Sequence, residues 1–294
     1  MSRFAACVLL SLCPAVFAQT LAGVIDAHIH SDPDSMARSI DALSLARLAR
    51  ERGLRAIVVK NHFESTAGLA WLARQQAPGL EVFGGIALNR AVGGINLAAV
   101  EQMVRVKGGC GRIVWMPTFD AENQVRQSKE SRPFVPISRD DRLLPEVLQM
   151  LDLIARHKLV LGTGHSSAAE NLLLVREARA RGIDRIVLTH ASLPPVSMTL
   201  AQMKTAAAQG AVVEFCYNSL IGPKPAATVQ DFARAIRTLG PEHCLLTSDL
   251  GQAANPLPPD GLQTYLQALR KAGFTQAEID RMVKTNPAKL LGLP

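Results

Sequence analysis

The run Val24-Ile25-Asp26-Ala27-His28-Ile29-His30 ends in two imidazoles one residue apart. Side chains alternate faces along a strand, so His28 and His30 point the same way while Ile29 enters the opposite layer. Two imidazoles on one face can share a metal ion. Four later apolar runs also finish on ionisable groups: Val58-Val59-Lys60-Asn61-His62, Leu161-Gly162-Thr163-Gly164-His165, Val187-Leu188-Thr189-His190 and Leu246-Thr247-Ser248-Asp249. Imidazole nitrogen and carboxylate oxygen suit zinc, manganese, iron or nickel, and a catalytic ion keeps a position open for water. Taken singly, each residue is more simply a satisfied polar group at a strand end. Taken together, they predict metal ligands brought in from several strands.

Something must hold those strand ends at one place. Short aliphatic runs recur at residues 23–30, 56–60, 82–88, 112–116, 159–162, 184–189, 211–216 and 244–248. Between and after them lie amphipathic stretches at 39–52, 68–76, 97–107, 143–157, 168–181, 199–208, 228–239 and 260–272, several closing on glycine as in Arg181-Gly182. Alternating β and α units over the whole length predict an α/β fold with a parallel sheet. Eight such units close naturally into a (β/α)8 TIM barrel, and no glycine-rich phosphate loop follows the first run, as an open dinucleotide-binding sheet would favour. The aperiodic stretch 118–142 follows the fourth strand. In a barrel it lies over the mouth, where it reads as a lid or substrate loop or as a plain insertion.

At 294 residues, with 48% apolar and 19% charged side chains, the chain is long enough for one large barrel and too apolar for disorder. Aromatic residues at 4% argue against a base-stacking surface. The net charge of +7 comes from Lys and Arg mixed with Glu at helical spacing, which reads as solvated helix faces, so no nucleic-acid partner is expected and a small anionic substrate stays open. Arg3, the apolar stretch Phe4 to Leu12 and the small-residue site Val16-Phe17-Ala18 predict a secretory signal peptide over 1–18, a periplasmic or secreted protein, and one mature domain over 19–294. An uncleaved anchor and a lipid tether at Cys13 are the alternatives, the second opposed by the bulky Leu12. No stable membrane insertion is expected after cleavage, and a homo-oligomer stays open. Cys7 and Cys13 leave with that peptide; Cys110, Cys216 and Cys244 contain no close pair and read as buried small hydrophobes.

His-x-His on the first strand, His165 and His190 on the fifth and sixth, and Asp249 on the eighth resemble the amidohydrolase superfamily of metal-dependent (β/α)8 hydrolases. The tail Asn286-Pro287-Ala288-Lys289-Leu290-Leu291-Gly292 is similar to an ending common there. The blocks Val59-Lys60-Asn61-His62-Phe63, Phe83 to Asn89, Val92 to Asn96 and Val114 to Thr118 resemble an uncharacterised DUF6282-like subgroup. The resemblance implies a divalent ion, zinc first with manganese, iron or nickel as alternatives, one or two per chain, on His28, His30, His165, His190 and Asp249, with His62 as a further ligand. It also implies Asp249 as proton acceptor and His190 as a second ligand or a group polarising the scissile carbonyl. Binuclear relatives carry a bridging lysine or glutamate on the fourth strand, whereas this one ends Trp115-Met116-Pro117-Thr118. One ion is therefore the simpler expectation. Lys60 would supply the bridge if carboxylated, and would otherwise bind an anionic substrate or pair with a carboxylate. Arg38, Arg90 and Asn89 are the candidate substrate-binding residues, followed by Thr118, Glu214 and Asn218. The implied reaction is hydrolysis of an amide, lactone, cyclic imide or ester; a phosphoesterase, a decarboxylase and a non-catalytic periplasmic binding protein are the alternatives.

Overall fold

The computed structural model describes residues 21–294; the expected signal peptide over 1–18 lies outside them. Eight parallel strands, β1 (Ile25–Ile29), β2 (Ala56–Val59), β3 (Glu81–Ala87), β4 (Gly111–Trp115), β7 (Val160–Gly162), β8 (Ile186–Leu188), β9 (Val212–Cys216) and β10 (Cys244–Thr247), lie side by side in chain order. Each coincides with one of the eight aliphatic runs, β3 and β4 starting one residue earlier, at Glu81 and Gly111. The stretch 118–142 holds helix α4 (Glu122–Gln127) and, with Leu143, the hairpin β5 (Ser138–Arg139) and β6 (Arg142–Leu143). Asp140 and Asp141, at φ 50° and 56°, make the tight turn between those two strands, in the left-handed conformation that such hairpins favour.

Helices α1 (Ala42–Glu51), α2 (Ala67–Gln76), α3 (Leu97–Arg105), α5 (Pro145–Arg156), α6 (Ala168–Ala180), α7 (Leu200–Ala208), α8 (Val229–Leu239) and α9 (Pro258–Lys271) occupy the eight amphipathic stretches. Their starts are set by local chemistry. Ser167 and Glu170, Thr199 and Gln202, and Thr228 and Asp231 form reciprocal caps at α6, α7 and α8. The helices bury their apolar faces against the outside of the sheet, so both sheet faces are covered and the strands can be almost wholly apolar.

A second core fills the inside of the barrel. Ile25, Ala27, Ala56, Val58, Phe83, Ile113, Trp115, Val160 and Leu245 pack there, and Ala288, Leu290 and Leu291 of the C-terminal helix Asn286–Leu291 close it from below. Asn286 Nδ2 donates to the carbonyls of Pro241 and Cys244 at 2.8 and 2.7 Å, fixing that plug under β10. Trp115 needs room made by glycine: a Cβ on Gly162 would stand 2.2 Å from its Cδ1, and one on Gly85 2.5 Å from its Cζ3.

The first and last strands meet at a seam of a different kind. Asp249 N–H donates to His28 O at 2.9 Å and His30 N–H to Leu250 O at 2.8 Å. Below them the Asp26 carboxylate takes the place of a ladder bond, its Oδ1 accepting from Ser248 N at 3.0 Å and from His28 N at 3.4 Å. Burial raises the Asp26 pKa to about 7 against the hydrogen bonds from Ser248, and Oδ2 is buried with no partner among the described residues. Cys110, Cys216 and Cys244 are free and buried. Among the described residues no helix is long and apolar enough to cross a membrane.

Candidate active site

Period-two alternation carries inward-facing positions up each strand and into the mouth. Ala56 and Val58 lead to Lys60 and His62, Phe83 to Asn89, Leu245 to Thr247 and Asp249. Strand β1 departs from this pattern. Ile25 and Ala27 face inward, yet Ile29 packs with the outer core, and the register against β2 shifts between Asp26 and Ile29. That irregularity re-aims the strand end, so that His28 and His30 both turn towards the axis.

His28 stands at the centre of the floor. Its Nδ1 lies 3.0 Å from Glu214 Oε1, and its Nε2 lies 3.0 Å from both Asp249 Oδ1 and Lys60 Nζ. His30 Nε2 is 2.9 Å from the same Asp249 oxygen, while His30 Nδ1 is buried without a partner among the described residues. The ligand atoms of His28, His30 and Asp249 lie within 4.8 Å of one another. Two imidazoles and a carboxylate from the strands flanking the seam suit a divalent ion, with the cavity on the open side. Asp249 itself has φ of 51°, and His190 has 29°; an ordinary side chain is held in the left-handed region only where its surroundings fix it.

The charges explain one another. Burial pushes His28 down, but Asp249 and Glu214, opposed by Lys60, bring its pKa up to about 9. Burial pushes the Asp249 carboxyl up, and the charge and hydrogen bond of His28 outweigh it, holding Asp249 well below the carboxylate range. Glu214 is also lowered, because His28 overcomes its burial. His30 falls to about 4 through burial, with only partial compensation from Asp249. Lys60, 1% exposed and 5.6 Å over the Trp115 ring, is lowered by the same desolvation.

A second group of imidazoles lines the wall. His62 stacks on His30 with ring centres 5.0 Å apart and touches Phe119 at 4.3 Å, while His165 and His190 are 4.9 Å apart. His62 Nδ1 is 2.9 Å from Thr118 Oγ1, and His165 Nδ1 is 2.8 Å from Gln124 Oε1. Burial lowers all three, His62 and His165 well below the ordinary histidine value. Above both groups opens a cavity of about 640 Å³, walled also by Met36, Leu193, Pro194, Pro195 and Ile221.

The sequence pattern of DUF6282, a family of unknown function, matches residues 23–214. The chain belongs to DUF6282. The family's match takes in every histidine of the site together with Lys60 and Glu214, and ends before Asp249. No curated protein matches the chain. Among solved structures, this DUF6282 chain is similar to an organophosphate-hydrolysing protein engineered from a weak promiscuous lactonase template, at 17% identity and TM-score 0.61, covering 94% of this chain and 96% of the other. The organophosphorus hydrolase from Deinococcus radiodurans gives 17% and 0.61, covering 94% and 93%. A protein from Pseudomonas putida assigned as a 2-pyrone-4,6-dicarboxylic acid hydrolase gives 18% and 0.61, covering 92% and 97%. All three carry hydrolase names, the class the sequence resembled; at these identities the likeness establishes the barrel.

The remaining candidates divide. Arg38 reaches the cavity wall, with its Nε 2.7 Å from Asp34 Oδ2 in a buried ion pair. Asn218 also lines the cavity. Asn89 is buried and fully engaged: Nδ2 donates to His62 O and Thr118 Oγ1, both at 2.7 Å, and Oδ1 accepts from Thr118 N and Asp120 N. It braces the wall on which His62 sits. The structure does not bring Arg90 to the cavity, since this exposed residue begins a short 3-10 turn whose first N–H goes to Asp120. Stretch 118–142 is an ordered part of the mouth. Phe119, Gln124, Gln127 and Ser128 face the cavity, and Asn123 ties α4 to His165 O and Pro195 O at 3.0 and 2.8 Å. Glu214, weighed in the sequence as a substrate contact, instead backs His28 and accepts from Thr247 Oγ1 and His190 N at 3.1 Å each. Its signal was available: it is the charged member of the inward set Val212, Glu214 and Cys216.

Proposed function

We propose that this protein is a metal-dependent hydrolase that opens a lactone or other carboxylic ester of a small molecule. The observation that carries this reading is the convergence of His28 Nε2, His30 Nε2 and Asp249 Oδ1 beneath one open cavity. The lactonase template and the pyrone-dicarboxylate hydrolase among the structural neighbours support a cyclic ester as the first substrate class to try.

When bound by these three residues, a divalent ion, zinc in the first instance, would supply the Lewis acidity that makes water deprotonable near neutral pH. Asp249 is the group that receives the proton. It is ionised, its Oδ1 lies against both imidazoles, and Oδ2 has no partner among the described residues. The same carboxyl returns the proton to the leaving alkoxide. His190 is neutral and lines the cavity, so its ring N–H can donate to the scissile carbonyl oxygen. Glu214 holds His28 in orientation from behind, as carboxylates do for metal-bound imidazoles. Lys60 places a third nitrogen beside His28, and the ion count shows whether it takes part in a second site. We read the chain as exported, on the pattern of residues 1–18.

The experiment is elemental mass spectrometry of the purified mature chain and of a His28→Ala/His30→Ala variant, with a hydrolysis panel of lactones, esters, amides and phosphotriesters. The expected result is near-stoichiometric metal in the wild type, lost in the variant together with lactone or ester turnover. A wild type that retains metal and turns over nothing on the panel removes the hydrolase and leaves a binding protein. N-terminal sequencing of the periplasmic protein should begin at Gln19, and an uncleaved cytoplasmic chain removes the export reading.

A further inference from the structure

The cavity wall is unbalanced in charge. It carries Arg38, Lys60 and Lys224 against Asp249 as its sole carboxylate among the described residues. Two of those cations already have internal partners. Arg38 is in a buried ion pair with Asp34, and Lys60 packs against His28 on the floor.

Lys224 differs. It is exposed on the cavity rim and has no ion pair or hydrogen bond among the described residues. It stands between Pro223 and Pro225, whose rings fix their φ and stiffen the loop. The loop is also tied back at its base, where Ala226 N and Ala227 N both donate to Ser219 O at 2.9 and 3.2 Å. An ammonium held over the mouth on a braced loop loses less freedom on binding than one on a flexible segment.

One residue before Ser219, at the base of that loop, Asn218 also lines the cavity, and its Oδ1 accepts from Asn255 Nδ2 at 2.8 Å. Its acceptor is thereby engaged and its Nδ2 donors have no partner among the described residues. The rim therefore offers a free ammonium and a free amide N–H, which match a group that only accepts hydrogen bonds.

We infer that the substrate carries a carboxylate at the end remote from the reacting bond, and that Lys224, with Asn218, is the specificity-determining contact for it. The inference rests on the proposed reading only for placing the reacting bond at the histidine and Asp249 end of the cavity.

The test is calorimetric titration of the metal-loaded protein with glutarate and with 5-oxohexanoate, in which a non-hydrolysable acetyl group replaces one carboxylate, repeated with succinate and adipate and their methyl-ketone counterparts to vary the span. Wild type should bind the best dicarboxylate about tenfold or more tightly than its methyl-ketone counterpart, the scale of one charge-assisted contact. Lys224→Ala should bring that ratio close to one, Lys224→Glu should invert it, and Lys224→Arg should keep it. An unchanged ratio in Lys224→Ala, or a wild type that does not discriminate at any length, overturns the inference. Discrimination without hydrolysis of any compound on the panel overturns the hydrolase reading alone. Hydrolysis of neutral esters without discrimination overturns the carboxylate contact alone.

Discussion

His28 and His62 are both buried histidines, one in the floor beneath the cavity and one on its wall, and their surroundings drive them to opposite protonation states. His28 lies between the Glu214 and Asp249 carboxylates and is raised to about 9, despite its burial. His62 meets a threonine hydroxyl and a phenylalanine ring, and burial takes it well below the ordinary value. The partner, not the residue type, decides what each imidazole can do. The seam side, backed by carboxylates, is prepared for a cation, whereas the wall of His62, His165 and His190 offers neutral rings for hydrogen bonding or for a second ion.

The comparison breaks most severely at Asp249, which serves both imidazoles of the seam side. Asp249→Asn should lower kcat on the best panel substrate by about 10³-fold or more, the scale of a lost acid and base. Far-ultraviolet circular dichroism should show the barrel intact; unchanged turnover would remove the proposed proton route. Glu214→Gln should be milder, weakening metal affinity by about 10- to 100-fold in competition with a chromophoric chelator. An affinity equal to wild type would mean that Glu214 does not orient His28. On the neutral wall, Thr118→Val should cost only a few-fold in kcat/KM and leave metal content unaltered, since it deletes two neutral hydrogen bonds, those of Thr118 Oγ1 with His62 Nδ1 and Asn89 Nδ2. Loss of metal there would place His62 in the primary site.

The smallest effect is on the stability of the metal-free chain as pH is varied. His30, His62, His165 and His190 have folded pKa values below 6.5, so the unfolded chain binds more protons and their contribution is lost as pH falls, through about 4 for His30. His28 has the opposite sign: its contribution is full below 6.5 and disappears as pH rises through about 9. Asp26, raised from 3.8 to about 7, opposes the imidazoles as pH rises across that range. With four imidazoles against Asp26 across the range and His28 only above 6.5, the melting temperature should drop from pH 7 to pH 5. A flat or rising profile would mean that the wall imidazoles are charged in the fold.

Much of this was legible in the sequence because a parallel barrel writes itself plainly. Strands covered on both faces become short aliphatic runs, and the residues just beyond them, such as His165 and Asp249, stand at the mouth by construction. Stretch 118–142 was not legible, since a six-residue helix and two-residue strands are too short to impose a period. Arg90 and Asn89 show a second limit. Adjacent positions after one strand end can face a wall and the solvent respectively, and only the parity of β3 distinguishes them. The turn of His28 towards the axis depends on an irregularity in β1 that no local residue pattern announces.

The seam has a consequence for the life history of the molecule. His28 lies on the first strand and Asp249 just past the last, and the plug beneath them is the helix Asn286–Leu291. Closing so long a loop costs entropy that the packing of the intervening units offsets, and a partly made chain that lacks Asp249 cannot complete the metal triad. Metal capture thus reports a finished barrel, and a chain that stops short of β10 would hold His28 and His30 without the carboxylate that completes their grip.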